Sequence, residues 1–271
     1  ERLNGCIGRN ILPKNTMHYE TVGSGEPLIL LLPQSLGPAG RKPLFDKLAL
    51  QRTVILCEWG QADSSTSIGF TMEAAADDVA TLLGSLGIPQ AECVCHSTGC
   101  GIGLSLAARY PESVSKLVLA APWTHGDSHL SNLQTLRKSA AFLLNAEQYF
   151  IFNSVLLFPA EFRRAHEKAF EEMARKSALS PHDPESITHR LDAILDFDAR
   201  SLFRCIQCPT LILVAKDDQV MPYWFAIEAA DQITDSKYIE FDTGGHMLLD
   251  TRTEEFCIQV FEFLTGPRGT E

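Results

Sequence analysis

A serine, a histidine and two adjacent aspartates occupy positions in this chain from which they could cooperate in nucleophilic catalysis. Ser97 lies within the tetrapeptide 96–99, His-Ser-Thr-Gly. A serine hydroxyl is a poor nucleophile until a base removes its proton, and that base needs an acid to orient it. Asp217 or Asp218 could supply the acid and His246 the base. The resulting chain order of serine, acid and histidine is one of the orders in which catalytic triads occur.

The residues around Ser97 favour a sharp turn between a strand and a helix. The short run 91–95 is typical of a buried strand, and 100–108 has the small residues of a helix packed tightly on a sheet. A serine at such a junction lifts its hydroxyl out of the sheet beside unpaired helical N–H groups, as in a nucleophile elbow. Cys95 replaces the first glycine of the usual Gly-x-Ser-x-Gly sequence. A helix N-cap without chemistry is the alternative interpretation.

The candidate acid and base also follow predicted strands. Both aspartates come directly after the apolar run 209–215, and His246 follows a strand that ends at Phe241. Ligand-binding and catalytic loops gather at the carboxyl ends of parallel strands, so these side chains are expected to converge on Ser97. Taken singly, the aspartates could belong to a solvated turn and the histidine to a packed loop.

Short apolar strands alternate with helices, which favours a mostly parallel sheet with helices on both faces. The predicted strands are 17–22, 27–32, 53–58, 91–95, 114–121, 209–215 and 237–241. Helices are predicted at 71–86, after Ser97, at 223–233 and up to about 264. Between Trp123 and Leu202 only helical patterns are apparent, near 130–144, 147–157, 160–178 and 184–197. We therefore expect an α/β core of 1–122 and 203–271 with a helical cap, 123–202, inserted into it.

Composition narrows the function classes. The 271 residues are 45% hydrophobic and 21% charged, as in ordinary globular enzymes. A formal net charge of −11 argues against nucleic acid and anionic membranes as partners. Most of the eight cysteines lie in apolar runs, which indicates buried thiols and a reducing, cytoplasmic compartment. Cys205 and Cys208 have the spacing of a redox pair or half a zinc site, but no second pair matches them, so we expect no metal.

Several segments together resemble the α/β-hydrolase superfamily along nearly the whole chain. Within it, the sequence is most similar to the small-cap group of the 3-oxoadipate enol-lactonases and the pyrimidine-utilisation hydrolases called RutD. The segments that carry this resemblance are 155–162, 190–193, 196–198, 206–212, 215–218 with Pro222, and 244–246.

The resemblance implies roles for individual residues. The family's Gly-x-x-Asp spacing aligns with Ala215 and selects Asp218 over Asp217 as the acid. An oxyanion hole is expected from the N–H of Thr98 and, by alignment, that of Ser35. At 33–37 the chain departs from the His-Gly pattern of many relatives, which leaves Gln34 open as the second donor.

Further residues are expected to contact substrate or to shape its pocket. Trp59, in a segment that also departs from the family pattern, could line the pocket or cover the sheet edge. His125 and His129 stand where the cap begins, and Phe152 is the cap aromatic chosen as pocket-facing; a solvated histidine is the alternative at both positions.

The sequence thus predicts a cofactor-free serine hydrolase of a small ester, lactone or activated amide, with no partner except the small-molecule substrate; an oligomer remains possible. Three alternatives share the fold: a C–C bond hydrolase, a non-hydrolytic biosynthetic enzyme and a ligand receptor.

Overall fold

A computed structural model describes residues 10–11, 18–33, 42–58 and 69–266. One eight-stranded sheet, in the order β1-β2-β4-β3-β5-β6-β7-β8, organises these residues. β1 and β2 pair antiparallel, as do β2 and β4, and every other neighbouring pair is parallel. The strands are β1 Asn10–Ile11, β2 His18–Gly23, β3 Glu26–Leu31, β4 Arg52–Glu58, β5 Ala91–His96, β6 Val114–Ala120, β7 Thr210–Ala215 and β8 Ser236–Phe241.

Helices cover both faces of the sheet. Six of them belong to the alternating βα part of the chain: α1 Lys42–Ala49, α2 Met72–Ser85, α3 Thr98–Arg109, α9 Tyr223–Gln232, α10 Leu248–Thr251 and α11 Thr253–Thr265. Five lie between β6 and β7 and are called the helical segment below: α4 Ser128–Leu143, α5 Ala146–Leu157, α6 Ala160–Ala165, α7 Glu167–Ser177 and α8 Pro184–Asp196. Within the described ranges, none of these helices has the length and apolarity that a membrane crossing requires.

The strand alternation divides the core into two layers. Ile29 and Leu31 of β3 face the layer that contains α2, α3, α9 and the helical segment. Leu28 and Leu30 face the opposite layer, formed with α1, α10 and α11. Because both faces are buried, the strands are apolar throughout rather than alternating with polar residues. The predicted fold class is therefore confirmed.

The register brings the carboxyl ends of the central strands to one edge. His96 pairs with Ala120 between β5 and β6, and Ala215 pairs with Phe241 between β7 and β8. The loops that follow β5, β7 and β8 consequently emerge at the same edge of the sheet, with β6 between the first two strands. These are the loops that carry the candidate serine, aspartates and histidine.

The helical segment departs from the prediction in one respect. The single helix expected at 160–178 is two helices, because His166 leaves helical geometry at φ −115° and ψ 26°. Its backbone N–H and its Nδ1 both bond the carbonyl oxygen of Phe162, and the two rings stack at 4.1 Å. Phe142 and Leu143, at the end of α4, are 56% and 81% exposed, so these two apolar side chains do not pack in the core.

Candidate active site

Ser97 occupies the turn between β5 and α3 with a strained backbone. Its φ of 54° and ψ of −122° are rare for a residue with a side chain. The turn is held by its N–H, which donates to Ala120 O at 2.9 Å, and by its carbonyl, which accepts from Cys100 N at 2.7 Å. Strain of this kind costs about 1–3 kcal/mol and persists only where the surroundings impose it. The predicted strand–serine–helix junction is thus present.

Close packing explains which neighbours of Ser97 are small. A Cβ on Gly99 would lie 2.2 Å from Leu31 O, so only glycine lets α3 begin this near to β3. Cys95 stands where the usual elbow sequence has its first glycine, and its thiol packs against Gly103. A Cβ on Gly103 would lie 2.3 Å from Cys95 Sγ, so the thiol fits only because residue 103 is a glycine. The missing elbow glycine is therefore compensated by a glycine one turn into the helix.

Ser97, His246 and Asp218 form one buried chain of hydrogen bonds. Ser97 Oγ lies 2.7 Å from His246 Nε2, and His246 Nδ1 lies 2.8 Å from Asp218 Oδ2. All three residues are buried. Because a carboxylate only accepts, Nδ1 carries the proton toward Asp218, which leaves Nε2 free to accept the hydroxyl proton of Ser97. The arrangement meets the geometric requirement of a nucleophile, a base and an orienting acid.

The two adjacent aspartates have different partners. Asp218 Oδ1 accepts from the N–H groups of Val220 and Met221 at 2.7 and 2.9 Å, which fixes its carboxylate against the histidine. Asp217 Oδ1 instead accepts from Gly244 N at 2.9 Å and Gly245 N at 2.8 Å. The structure therefore brings Asp218 to the imidazole and Asp217 to the backbone of the loop that carries it.

The backbone of His246 is held from two sides, a feature that sequence reasoning missed. Its N–H donates to Leu157 O of the helical segment at 3.1 Å, and its carbonyl accepts from His96 Nε2 at 2.8 Å. Burial, with the nearby His246, lowers the pKa of His96 to about 3, so this ring is neutral at ordinary pH. His96 Nδ1 has no hydrogen-bond partner in the described chain. The only available signal was a polar residue at the end of a strand in which Glu92 is the only other polar residue.

Of the predicted oxyanion donors, the structure places Thr98 beside Ser97 as the first residue of α3. An N–H group in the first turn has no intrahelical acceptor, so it is available to an incoming oxygen. Ser35, Gln34 and Trp59 lie outside the described residues.

The other predicted substrate residues are not brought to the triad by any described contact. His125 Nδ1 lies 3.0 Å from Thr124 Oγ1 and 3.3 Å from Glu228 Oε2. His129 Nε2 donates to Gln219 O at 3.0 Å, next to the acid. Phe152 is half-buried on α5, its ring 6.4 Å from that of Tyr149.

The two cysteines spaced like a redox pair differ in exposure. Cys205 is exposed, whereas Cys208 is buried in the core, and burial raises the pKa of Cys208 to about 12. Both thiols are free. Over the described residues, no three His, Cys, Asp or Glu side chains cluster as metal ligands would.

Comparison with known proteins gives the family. The α/β-hydrolase fold family matches residues 27–253. A relative from Serratia proteamaculans, named “Putative carbamate hydrolase RutD”, is 32% identical over 247 residues, covering 89% of this chain and 92% of its own. A protein of the same name from Pantoea ananatis is 28% identical over 265 residues, covering 94% and 96%.

Comparison with solved structures gives the same fold. The enol-lactonase from Burkholderia xenovorans LB400 superposes with a TM-score of 0.79 at 20% identity, over 92% of this chain and 96% of its own. MGS-M2, an α/β-hydrolase enzyme from a deep-sea metagenome library, gives 0.84 at 17% identity, over 94% and 96%. At such identities the likeness shows the fold. The resemblance to RutD proteins and enol-lactonases is confirmed, and this chain belongs to the α/β-hydrolase family of enzymes.

Proposed function

We propose that this protein is a cofactor-free serine hydrolase whose nucleophile, base and acid are Ser97, His246 and Asp218. One observation carries the proposal: the unbroken buried chain from Ser97 Oγ through the imidazole to Asp218, with links of 2.7 and 2.8 Å. Folding alone does not require a serine on a strained turn beside a histidine whose Nε2 can accept the serine proton. Catalysis accounts for that geometry.

The mechanism follows from the contacts. Ser97 Oγ attacks the substrate carbonyl carbon while its proton passes to His246 Nε2. The resulting oxyanion accepts a hydrogen bond from the backbone N–H of Thr98. We assign the second hydrogen-bond donor of the oxyanion hole to Ser35, with Gln34 as the alternative. When the tetrahedral intermediate collapses, Nε2 returns the proton to the leaving oxygen or nitrogen, and an acyl-enzyme remains. His246 then deprotonates a water that releases the acid and restores Ser97.

Asp217, His96 and Leu157 keep the base in place during both steps. Asp217 fixes the loop ahead of His246, and the other two bond its carbonyl and N–H. The imidazole can therefore exchange protons without losing its distance to Ser97. Such preorganisation lowers the free energy of reaching the transition state rather than that of binding substrate.

The substrate we propose is a small molecule with an ester, lactone or activated amide carbonyl. Relatives named carbamate hydrolase add carbamates to the compounds worth testing. Residues 123–202 are proposed as the cap over the site, supported by five helices between β6 and β7 and by the bond from His246 N–H to Leu157 O. Free, largely buried thiols support the expected reducing compartment.

Turnover of p-nitrophenyl esters, small lactones and aryl carbamates by the wild type and by Ser97→Ala tests the proposal. Knockouts of comparable nucleophiles lower kcat by about 10⁴-fold or more, and a loss of that size is expected here. Ser105→Ala is the matched control, because Ser105 lies buried on α3, the helix that follows Ser97, with an unpartnered hydroxyl in the described structure. Undiminished turnover by folded Ser97→Ala would overturn the proposal. Ligand-dependent stabilisation without turnover would instead indicate a receptor.

A further inference from the structure

The junction between α5 and α6, residues 157–159, contacts the loop that carries His246 at two points. The first contact is the hydrogen bond in which His246 N–H donates to Leu157 O at 3.1 Å. The second is a close approach of Pro159 to Gly245. A Cβ on Gly245 would lie 2.9 Å from Pro159 Cδ and 3.0 Å from Leu157 O, so no side chain fits between them. The helical segment and the loop of the base are therefore packed directly against each other.

The junction is stiff enough to transmit its position to that loop. The ring of Pro159 restricts its own φ, which is −57°. Phe158 is buried, and its N–H donates to Ser154 O at 3.2 Å. The ring of Phe158 stacks on that of Phe162 at 5.7 Å and meets that of Phe170 edge-on at 5.1 Å. Moving the junction would therefore disrupt packing inside the helical segment.

The loop is held between the core and this junction. On the core side, the N–H groups of Gly244 and Gly245 donate to Asp217 Oδ1. The next N–H along the chain, that of His246, donates to Leu157 O on the other side. Gly245 has a φ of +62°, in the left-handed region that glycine adopts at little cost. Because Asp217 follows β7 whereas Leu157 belongs to the helical segment, the position of His246 depends on both.

The tolerance for movement at this contact is small. Carbon atoms pack at ~3.5 Å, so a Cβ on Gly245 at 2.9 Å from Pro159 Cδ would displace the loop or the junction by about 0.6 Å. His246 is the next residue, and its Nε2 lies 2.7 Å from Ser97 Oγ. The same displacement of the imidazole would stretch this link beyond the ~3.2 Å limit of good hydrogen bonds. Misplacement of a reacting group by about 1 Å can lower a rate by about 10²-fold, so shifts of this size matter for catalysis.

We propose that the junction of α5 and α6 is a positioning element for the catalytic base, acting through the Pro159–Gly245 contact and the bond from His246 N–H to Leu157 O. The inference rests on the proposed function and deepens it. The helical segment sets the distance from His246 to Ser97, so it contributes to kcat as well as covering the site. Pro159 and Gly245 are positioning residues that act through His246.

A double-mutant cycle of Gly245→Ala and Pro159→Ala, assayed with a p-nitrophenyl ester, tests the contact. Gly245→Ala should lower kcat by about 10- to 100-fold with KM nearly unchanged, because it displaces the imidazole. Pro159→Ala keeps the bond to Leu157 O and should lower kcat by ~3-fold or less. The double variant should exceed Gly245→Ala by ~3-fold or more, because the Cδ that the new Cβ meets is gone. Fluorophosphonate labelling of Ser97 should follow the same order of rates, since that step needs the base but no acyl pocket.

Gly87→Ala is the matched control for backbone strain. Gly87 has a φ of +67°, and among the described residues nothing beyond its chain neighbours lies within 4 Å of a Cβ built there. Gly87→Ala should therefore lower Tm without changing kcat. Pro181→Ala, at an exposed proline before α8, should also leave kcat unchanged. A wild-type kcat in Gly245→Ala, or a loss that Pro159→Ala does not relieve, would overturn the proposal while leaving the serine mechanism intact.

If the wild type neither hydrolyses esters nor is labelled, the proposed function fails, and NMR of the His246 ring decides the positioning claim. In ¹⁵N-labelled protein, the ring resonances of His246, assigned with His246→Gln, should shift in Gly245→Ala and return toward their wild-type positions in the double variant. Gly87→Ala should leave them in place. Resonances that do not shift in Gly245→Ala, or that stay shifted in the double variant, would refute the claim.

Discussion

Buried polar groups in the triad loops and in the helical segment differ in whether their donor and acceptor atoms have hydrogen-bond partners. At the carboxyl edge of the sheet, Asp218 accepts three hydrogen bonds, and the ring, N–H and carbonyl of His246 all have partners. In the helical segment, Gln134 is buried and Arg137 is half-buried, and Gln134 Nε2 and Arg137 Nε have no hydrogen-bond partner among the described residues. At the sheet edge His96 Nδ1 is the exception, because it too has no partner in the described structure.

The contrast separates two tasks that a hydrolase must perform. A catalytic group gains from being fixed before substrate arrives, since its reorganisation would otherwise add to the barrier. A specificity site gains from polar groups satisfied only by the correct ligand, because a wrong ligand then leaves them unpaired. The sheet edge fits the first description, and the helical segment, which we propose as the cap over the site, is the candidate for the second. The following predictions test that division, from the largest expected effect to the smallest.

The largest effect on kcat is expected from replacing each of the two adjacent aspartates with asparagine. Asp218→Asn should lower kcat by about 10⁴-fold, as in other triads, because an amide can hold the wrong imidazole tautomer. Asp217→Asn should lose about tenfold or less, since its remaining carbonyl oxygen can still accept from Gly244 N and Gly245 N. Steady-state kinetics of both variants measure the difference. Equal losses would show that both aspartates act on the imidazole.

His96 should have a smaller effect, through the position of His246. His96→Leu removes the N–H bonded to His246 O, and a loss of about one hydrogen bond predicts a kcat near tenfold lower with KM unchanged. His96→Gln retains a donor at a similar reach and should recover most of kcat. A role in packing alone would lower Tm in both variants without separating their kcat values, and that pattern would contradict the assignment.

Substitution of the unpartnered polar residues in the helical segment should raise the stability of the protein. The double variant Gln134→Leu/Arg137→Met replaces unsatisfied buried groups with apolar ones, so the free energy of unfolding without ligand should rise by about 1–3 kcal/mol. Urea denaturation monitored by fluorescence measures this change. A marked loss of stability would mean that the two side chains are structural, and the proposed contrast between the regions would fail.

The smallest effect is expected from Phe152, the residue chosen from sequence as pocket-facing. Phe152→Ala should shift preference toward bulkier acyl groups by about 1–3 kcal/mol and leave covalent labelling of Ser97 intact. Phe142→Ala is the control, because Phe142 is exposed in the same segment. An unchanged ranking across an acyl-chain series would assign Phe152 to the scaffold.

The sequence predicted the parts of the structure that depend on local pattern. Apolar runs located the seven longer strands within one or two residues, and the capping threonine at 71, whose side chain accepts from Ala74 N, marked the start of α2. The elbow residue, the acid and the base could be proposed together because parallel strands place their carboxyl ends at one edge.

Features that depend on three-dimensional proximity could not be predicted. The hydrogen bonds that Asp217 Oδ1 accepts from the backbone N–H groups of Gly244 and Gly245 join residues that are distant in the chain, and the bond from His96 to His246 spans 150 positions. The unsatisfied state of Arg137 exists only once α4 has packed in the segment. The exposure of Phe142 and the break at His166 also follow from packing rather than from periodicity.

Covalent labelling of the wild type with a fluorophosphonate, followed by peptide mass spectrometry, tests the central claim most directly. The account predicts one phosphonyl group per chain, attached to Ser97 Oγ with loss of fluoride, and labelling that is abolished in Ser97→Ala but retained in Ser105→Ala. A folded wild-type protein that remains unlabelled, or carries the label on another residue, would contradict it.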